Sequence, residues 1–99
     1  MKKIGKMVNH IKDEINDSMD YAMAYIEYKA DGQSTLAETF HDMAQDELRH
    51  ANTWHDLAVA VIDKVRVVYT PSKEMSEKWE ACHQEYIAKA AEIKRILSL

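Results

Sequence analysis

Apolar residues recur every three or four positions along three long stretches of the chain, the spacing that keeps them on one face of an α-helix. The stretches cover about residues 3–30, 34–68 and 71–97. Two short breaks separate them, one at Gly32 and one at Pro71. Gly32 suits the left-handed position that follows a helix, and Pro71 suits the first turn of a helix that Thr70 caps. The pattern therefore predicts an all-α fold of three helices.

The two ends of the second helix carry further signals. Ser34 or Thr35 suits the N-cap of this helix, and Thr35 with Glu38 has the spacing of a capping box. At the other end, residues 65–69 are mostly β-branched, a composition that also suits a strand. Because no other segment offers a partner strand, we predict that this stretch ends the helix. The three helices are expected to form a single domain over residues 1–99.

Each of the first two helices has an apolar stripe that ionisable residues interrupt. Glu14 interrupts the stripe of the first helix, which consists of Ile4, Met7, Ile11, Ser18, Tyr21, Tyr25 and Tyr28. Glu47 and His50 interrupt the stripe of the second helix, which consists of Leu36, Phe40, Met43, Trp54, Leu57, Val61, Val65 and Val68. An ionisable group on an apolar face costs free energy unless it is paired or binds a metal ion. The interruptions therefore indicate a specific site.

The spacing of these three residues places them together. A turn at Gly32 makes the first two helices an antiparallel hairpin. Glu14 precedes that turn by about as many residues as Glu47 and His50 follow it, so all three lie at one level. Two carboxylates and an imidazole suit iron, manganese or zinc. The alternative is a helix face that carries an isolated Glu–His pair.

One such hairpin provides only half of a two-metal carboxylate site. Two copies related by a twofold axis supply four glutamates and two histidines, and four carboxylates balance the charge of two divalent cations. Helices this long are also difficult to bury within a chain of 99 residues. We therefore expect a homodimer or a larger even homo-oligomer.

Composition and charge limit the kinds of binding partner and the cellular compartment that we expect for the chain. The chain has 13 Lys and Arg against 17 Asp and Glu, a formal charge of −4, which argues against nucleic-acid binding. No apolar run approaches the roughly 20 residues of a membrane span, and no signal peptide is recognised. The single cysteine, Cys82, excludes an internal disulfide and suits a reducing compartment. We expect a cytoplasmic protein that binds neither nucleic acid nor membranes.

The residues around the site resemble the first helix pair of the ferritin-like superfamily, rubrerythrins especially. The resemblance covers about residues 10–58 and is carried by Glu14, Tyr21, Gly32, Ala37, Phe40, Ala44 and the string Glu47-Leu48-Arg49-His50. Full-length members have a second helix pair with its own ligands, whereas this chain has one further helix. The architecture is similar to that of the short encapsulated ferritins, whose di-iron centre forms between two subunits. The implied fold is a long hairpin plus a third helix, pairing with a second subunit as a ferritin-like four-helix bundle.

The same resemblance implies a function. The chain would bind iron and oxidise Fe(II) with O₂ or peroxide at a di-iron centre, for iron storage or detoxification. Glu14 and His50 would be terminal ligands, Glu47 would bridge, and Tyr21 would steady a ligand or supply an electron, unless it is simply a core aromatic. Mn or Zn would fit the same ligands. An encapsulin shell is a further implied partner, although residues 96–99 contain no recognisable targeting extension.

Other function classes stay open at this point. One is a metal-free helical scaffold or interaction module, and another is a different two-metal redox enzyme that uses Mn or Fe. A second Glu-x-x-His string, Glu80 and His83, lies on the third helix and is assigned to the surface or to packing, because no facing carboxylate helix remains. The other histidines are assigned to outer helix faces: His10, His41 and His55.

Overall fold

The computed structural model describes residues 2–68 and 70–99 and confirms the all-α prediction. Its helices are α1 (Lys2–Ala30), α2 (Ser34–Val68) and α3 (Lys73–Leu97). The molecule is a rod of 55 × 18 × 17 Å. No strand occurs within the described ranges, so residues 65–68 continue α2 as predicted, and residue 69 lies outside the described residues. The helices α1 and α2 form an antiparallel hairpin, and α3 returns along it, parallel to α1.

The turn between α1 and α2 has the geometry that Gly32 predicts. Its φ is +76°, in the left-handed region that glycine adopts without a steric penalty. The Gly32 N–H donates to the Lys29 carbonyl at 3.1 Å, and the Gln33 N–H donates to the Tyr28 carbonyl at 2.9 Å. These two bonds satisfy carbonyls that the end of α1 would otherwise leave unpaired, which fixes where the chain reverses.

The predicted bounds of α2 are confirmed, α3 begins two residues later than predicted, and the capping residues of both helices differ from the prediction. The helix α2 already begins at Ser34, so Thr35 lies inside it and the expected capping box is wrong. The helix α3 begins immediately after Ser72, whose hydroxyl oxygen accepts a backbone hydrogen bond from the first turn at 3.1 Å. Ser72 is therefore the cap in place of Thr70, and Pro71 precedes the cap.

Small residues of α2 pack against α1. Buried alanines recur along α2 at seven-residue intervals: Ala37, Ala44, Ala51 and Ala58. Their size lets the two backbones approach closely, and the buried Ser18 hydroxyl of α1 donates to the Ala44 carbonyl at 2.7 Å. The largest fully buried side chains come from α1 and α3: Ile4, Ile11, Ile15, Cys82 and Ile93.

The apolar stripe predicted for α2 faces α1 only along its edge, where Trp54 stacks on His10 with ring centroids 4.1 Å apart and Phe40 stacks on Tyr28 at 5.3 Å. Leu36 and Leu57 are 44% and 48% exposed, and the rest of that stripe is at most half-buried. The helix α3 reaches the last part of this stripe, where Val65 lines a cavity with Met75 and Trp79. The side-chain hydrogen bonds of α3 to α2 are made elsewhere, by His41, Asn52 and His55. The hairpin thus keeps an exposed or half-buried apolar surface, here called the open face: Tyr21, Tyr28, Phe40, Met43, Trp54, Leu57 and Val61.

Candidate metal centre

Glu14 of α1 converges with Glu47 and His50 of α2, as the sequence predicts. One ligand atom of each residue lies within 4.8 Å of the others. The His50 Nδ1 atom is 3.8 Å from Glu14 Oε2 and 3.8 Å from Glu47 Oε1. Within residues 2–68 and 70–99, this is the one group of three or more such side chains close enough to share an ion.

The distances from His50 to the two carboxylates suit coordination of a shared ion better than direct pairing. A distance of 3.8 Å is too long for a hydrogen bond between His50 and either carboxylate. Two ligand atoms on one ion, each bound at about 2.1 Å, lie roughly 3.0–4.2 Å apart. The three groups are therefore spaced to hold a cation with little side-chain movement, and their chemistry suits a first-row divalent metal.

The two carboxylates of the cluster oppose each other electrostatically. The pKa of Glu47 is raised, first by its hydrogen bond with the Glu14 carboxyl group and then by burial and by the charge of Glu14. The charge of His50 acts in the opposite direction. Asp17, on the next turn of α1, also has a raised pKa, because of burial and then the charge of Glu47. A bound divalent cation would relieve this repulsion.

The cluster opens onto the surface of the single chain. The side chains of Glu14 and Glu47 are 23% and 24% exposed, and that of His50 is 49% exposed. Half-buried aromatic residues of the open face flank the cluster along both helices, among them Tyr21 of α1 and Phe40 of α2. Three protein ligands leave positions free on a six-coordinate ion, so the remaining ligands must approach from this open side.

Tyr21 lies beside the cluster, but its ring makes an apolar contact. Its centroid is 6.2 Å from that of Phe40, and Tyr28 stacks on the same ring at 5.3 Å. In the part of the chain that the structure describes, no hydrogen bond joins Tyr21 to Glu14 or Glu47. A role for Tyr21 in supporting a ligand or supplying an electron stays a prediction.

Two of the remaining histidines, His41 and His55, are more buried than predicted, whereas His10 is exposed as expected. His41 is half-buried, and its Nε2 atom lies 2.8 Å from the Leu97 carbonyl oxygen. The side chain of His55 is only 14% exposed, and its Nε2 atom lies 2.9 Å from His83 Nδ1. The assignment of His41 and His55 to outer faces is therefore wrong, because α3 covers both side chains.

The second Glu-x-x-His string divides between surface and interior. Glu80 is exposed and accepts a hydrogen bond from Gln84 Nε2 at 2.8 Å. His83 turns toward α2 instead. This arrangement agrees with the surface or packing role expected for the string.

The fold and the site define a class of protein: a three-helix rod with one carboxylate–histidine cluster on an open apolar face. The chain matches none of the protein-family models, curated proteins or solved structures with which it was compared. None of the helices described between residues 2 and 68 or between 70 and 99 is long and apolar enough to cross a membrane. A functional assignment must therefore be argued from the cluster and its surroundings.

Proposed function

We propose that the chain binds Fe(II) at a two-metal carboxylate centre formed between two copies, and that it oxidises the iron for storage or detoxification. The observation that carries this proposal is the convergence of Glu14, Glu47 and His50 at ligand spacing on the open face. The resemblance of these residues and their neighbours to the first helix pair of the ferritin-like superfamily agrees with it.

The open face supports the participation of a second copy. Large apolar side chains such as Phe40, Trp54 and Leu57 are only partly covered within one chain. Large apolar side chains that share one helix face and stay partly exposed are typical of an interaction site. A second copy placed on it would bury these side chains and bring its own Glu14, Glu47 and His50 toward the first set.

The position of the cluster along the hairpin favours a twofold arrangement. Glu14 lies near the middle of α1, and Glu47 and His50 lie near the middle of α2. If a twofold axis passes through the cluster, the two hairpins therefore overlap along most of their length. The Tyr21 end of one open face then meets the Trp54 end of the other.

The chain's own residues define what the centre would do. Four carboxylates and two imidazoles from two copies would hold two ions, with Glu14 and His50 as terminal ligands and Glu47 as the bridging group. Each bound ferrous ion can supply one electron, so that a pair reduces one O₂, with two protons, to hydrogen peroxide. The carboxylates favour the more highly charged ferric product, and the apolar open face, once covered, excludes water from it.

A metal-free scaffold is the alternative function, since the open face alone would serve it. A scaffold function would not explain, however, why Glu14, Glu47 and His50 lie at ligand spacing. A different two-metal enzyme would share the ligands and differ in the reaction.

Metal addition separates these functions. Under anaerobic conditions, Fe(II) should raise the melting temperature of the full chain, because an ion at 100 times its Kd stabilises the folded state by about 2.7 kcal/mol. After air is admitted, the protein should oxidise Fe(II) faster than buffer alone, as followed by the absorbance of ferric iron. A melting temperature that Fe(II), Mn(II) and Zn(II) all leave unchanged would favour the scaffold. Stabilisation by Mn(II) without faster iron oxidation would favour another two-metal enzyme.

A further inference from the structure

The contact between α3 and α2 includes a pair of histidines, His55 and His83. Nitrogen Nε2 of His55 lies 2.9 Å from Nδ1 of His83, and the two rings are within 15° of parallel. The side chain of His55 is only 14% exposed. This histidine pair is one of few side-chain links between these two helices, the others involving His41 and Tyr86 of the described residues.

Aromatic rings of α3 hold the histidine pair in place. Trp79 lies 5.7 Å from the His55 ring and 5.6 Å from the His83 ring, centroid to centroid. Tyr86 stacks on His55 at 4.4 Å, and its hydroxyl donates to Asn52 of α2. The helix α3 packs mainly on α1, through buried residues such as Cys82 and Ile93, and the histidine pair adds a link to α2.

The hydrogen bond within the pair requires one nitrogen with a hydrogen and one with a free lone pair. Asp56 Oδ1 lies 3.3 Å from His55 Nδ1, so that nitrogen carries a hydrogen. When His55 is neutral, its Nε2 accepts from His83, and when His55 is charged, its Nε2 donates to His83. The pair thus accommodates one added proton. A second proton leaves two donors and two positive charges facing each other at 2.9 Å.

Charged groups from all three helices surround the pair. On α2, the carboxylate of Asp56 lies 3.3 Å from His55 Nδ1. On α3, Glu80 is engaged with Gln84. On α1, the positive charge of Lys12 acts on the thiol of Cys82, the residue beside His83. The phenol of Tyr86 remains neutral throughout the acidic range.

We propose that the histidine pair is a pH-sensitive contact that helps to hold α3 on the hairpin and is lost when both rings are protonated. The released form of α3 binds one more proton than the docked form, so docking is favoured as pH rises. As pH falls and both rings become protonated, each pH unit lowers the ratio of docked to released α3 by up to about tenfold. The proposal does not depend on metal binding.

Hydrogen–deuterium exchange of the full chain tests this proposal. After correction for intrinsic exchange rates, backbone amides of residues 79–90 should exchange about tenfold faster at pH 5 than at pH 7, relative to the α1–α2 hairpin. In His83→Gln, whose amide takes up no proton, this difference should disappear. The matched control is His41→Gln, since His41 also links α2 to α3 but donates to a carbonyl, a bond that survives protonation. This control should keep the pH dependence.

A second measurement on the unmodified chain covers the case in which His83→Gln fails to fold. Cys82 is the only cysteine and is 2% exposed, so its labelling reports opening of α3. Labelling by a dithiodipyridine, normalised to the unfolded chain at each pH, should accelerate as pH falls from 6.5 to 5. Exchange and labelling that do not change over this range, or change equally in wild type and His83→Gln, would overturn the proposal.

Discussion

Replacing Glu47 by Gln is expected to reduce the rate of Fe(II) oxidation by at least about 100-fold while the chain remains helical. The substitution keeps the size of the side chain but removes a carboxylate from the cluster, and even residues that only support metal ligands typically contribute tenfold to 100-fold. The metal-free chain should become slightly more stable at neutral pH, because the raised pKa of Glu47 shows that its charged form is disfavoured in the folded state. Stopped-flow oxidation and thermal melts measure the two effects.

The matched control for this substitution is Asp46→Asn. Asp46 precedes Glu47, but its carboxylate is 56% exposed and pairs with Arg49 at 3.1 Å. This variant should keep both iron oxidation and stabilisation by metal. If Glu47→Gln or Glu47→Ala oxidises iron at the wild-type rate, the cluster is not the centre.

The second large effect is expected from Leu57→Glu, which should convert the proposed assembly into monomers and remove the shared two-metal centre with its rapid oxidation of Fe(II). Leu57 belongs to the open face and is 48% exposed in the single chain, so a charge there leaves the fold of one copy intact. In the proposed dimer, each copy would bury that unpaired charge against the other. Buried unpaired charges cost several kcal/mol, so association should weaken at least about 100-fold. Analytical ultracentrifugation measures the change.

Ile87→Glu provides a control at equal exposure. Ile87 is 47% exposed and lies on α3, away from the open face. Its substitution should leave assembly and metal binding unchanged. Retention of the assembled state by Leu57→Glu, with normal iron oxidation, would mean that the open face is not the interface.

The positions of the helices and of the cluster were predictable for a simple physical reason. Helix period, the turn at Gly32 and a constant rise per residue determine which residues of a hairpin lie level with each other. The convergence of Glu14 with Glu47 and His50 follows from these quantities without any knowledge of packing. In a hairpin of long helices with few breaks, the sequence alone therefore shows which residues of the two helices lie at the same height.

The face of α2 that packs on α1 was not predictable in the same way. Periodicity shows that a helix has an apolar face, but α2 has two adjacent ones. The larger side chains, such as Phe40 and Trp54, indicated one face, whereas the alanine series that includes Ala44 and Ala51 forms the fully buried part of the contact with α1. Phe40 and Trp54 stack on α1 at the edge of that contact and stay partly exposed, which periodicity alone does not reveal.

The histidine pair and the start of α3 could not be predicted either. His55 and His83 are 28 positions apart, and their contact depends on the rotation of α3 about its own axis, which no local pattern specifies. Thr70 and Ser72 have similar capping preferences, so only the observed hydrogen bond to Ser72 distinguishes them.

The central claim is that the metal centre is completed by a second copy, and a crystal structure of the chain loaded with Fe(II) or Mn(II) tests it most directly. The account predicts two anomalous-scattering peaks related by a twofold axis, each between carboxylates of Glu14 and Glu47 from two copies, with His50 of one copy as a further ligand. Metal held by a single chain, or a cluster that faces solvent in every assembly present, would contradict it.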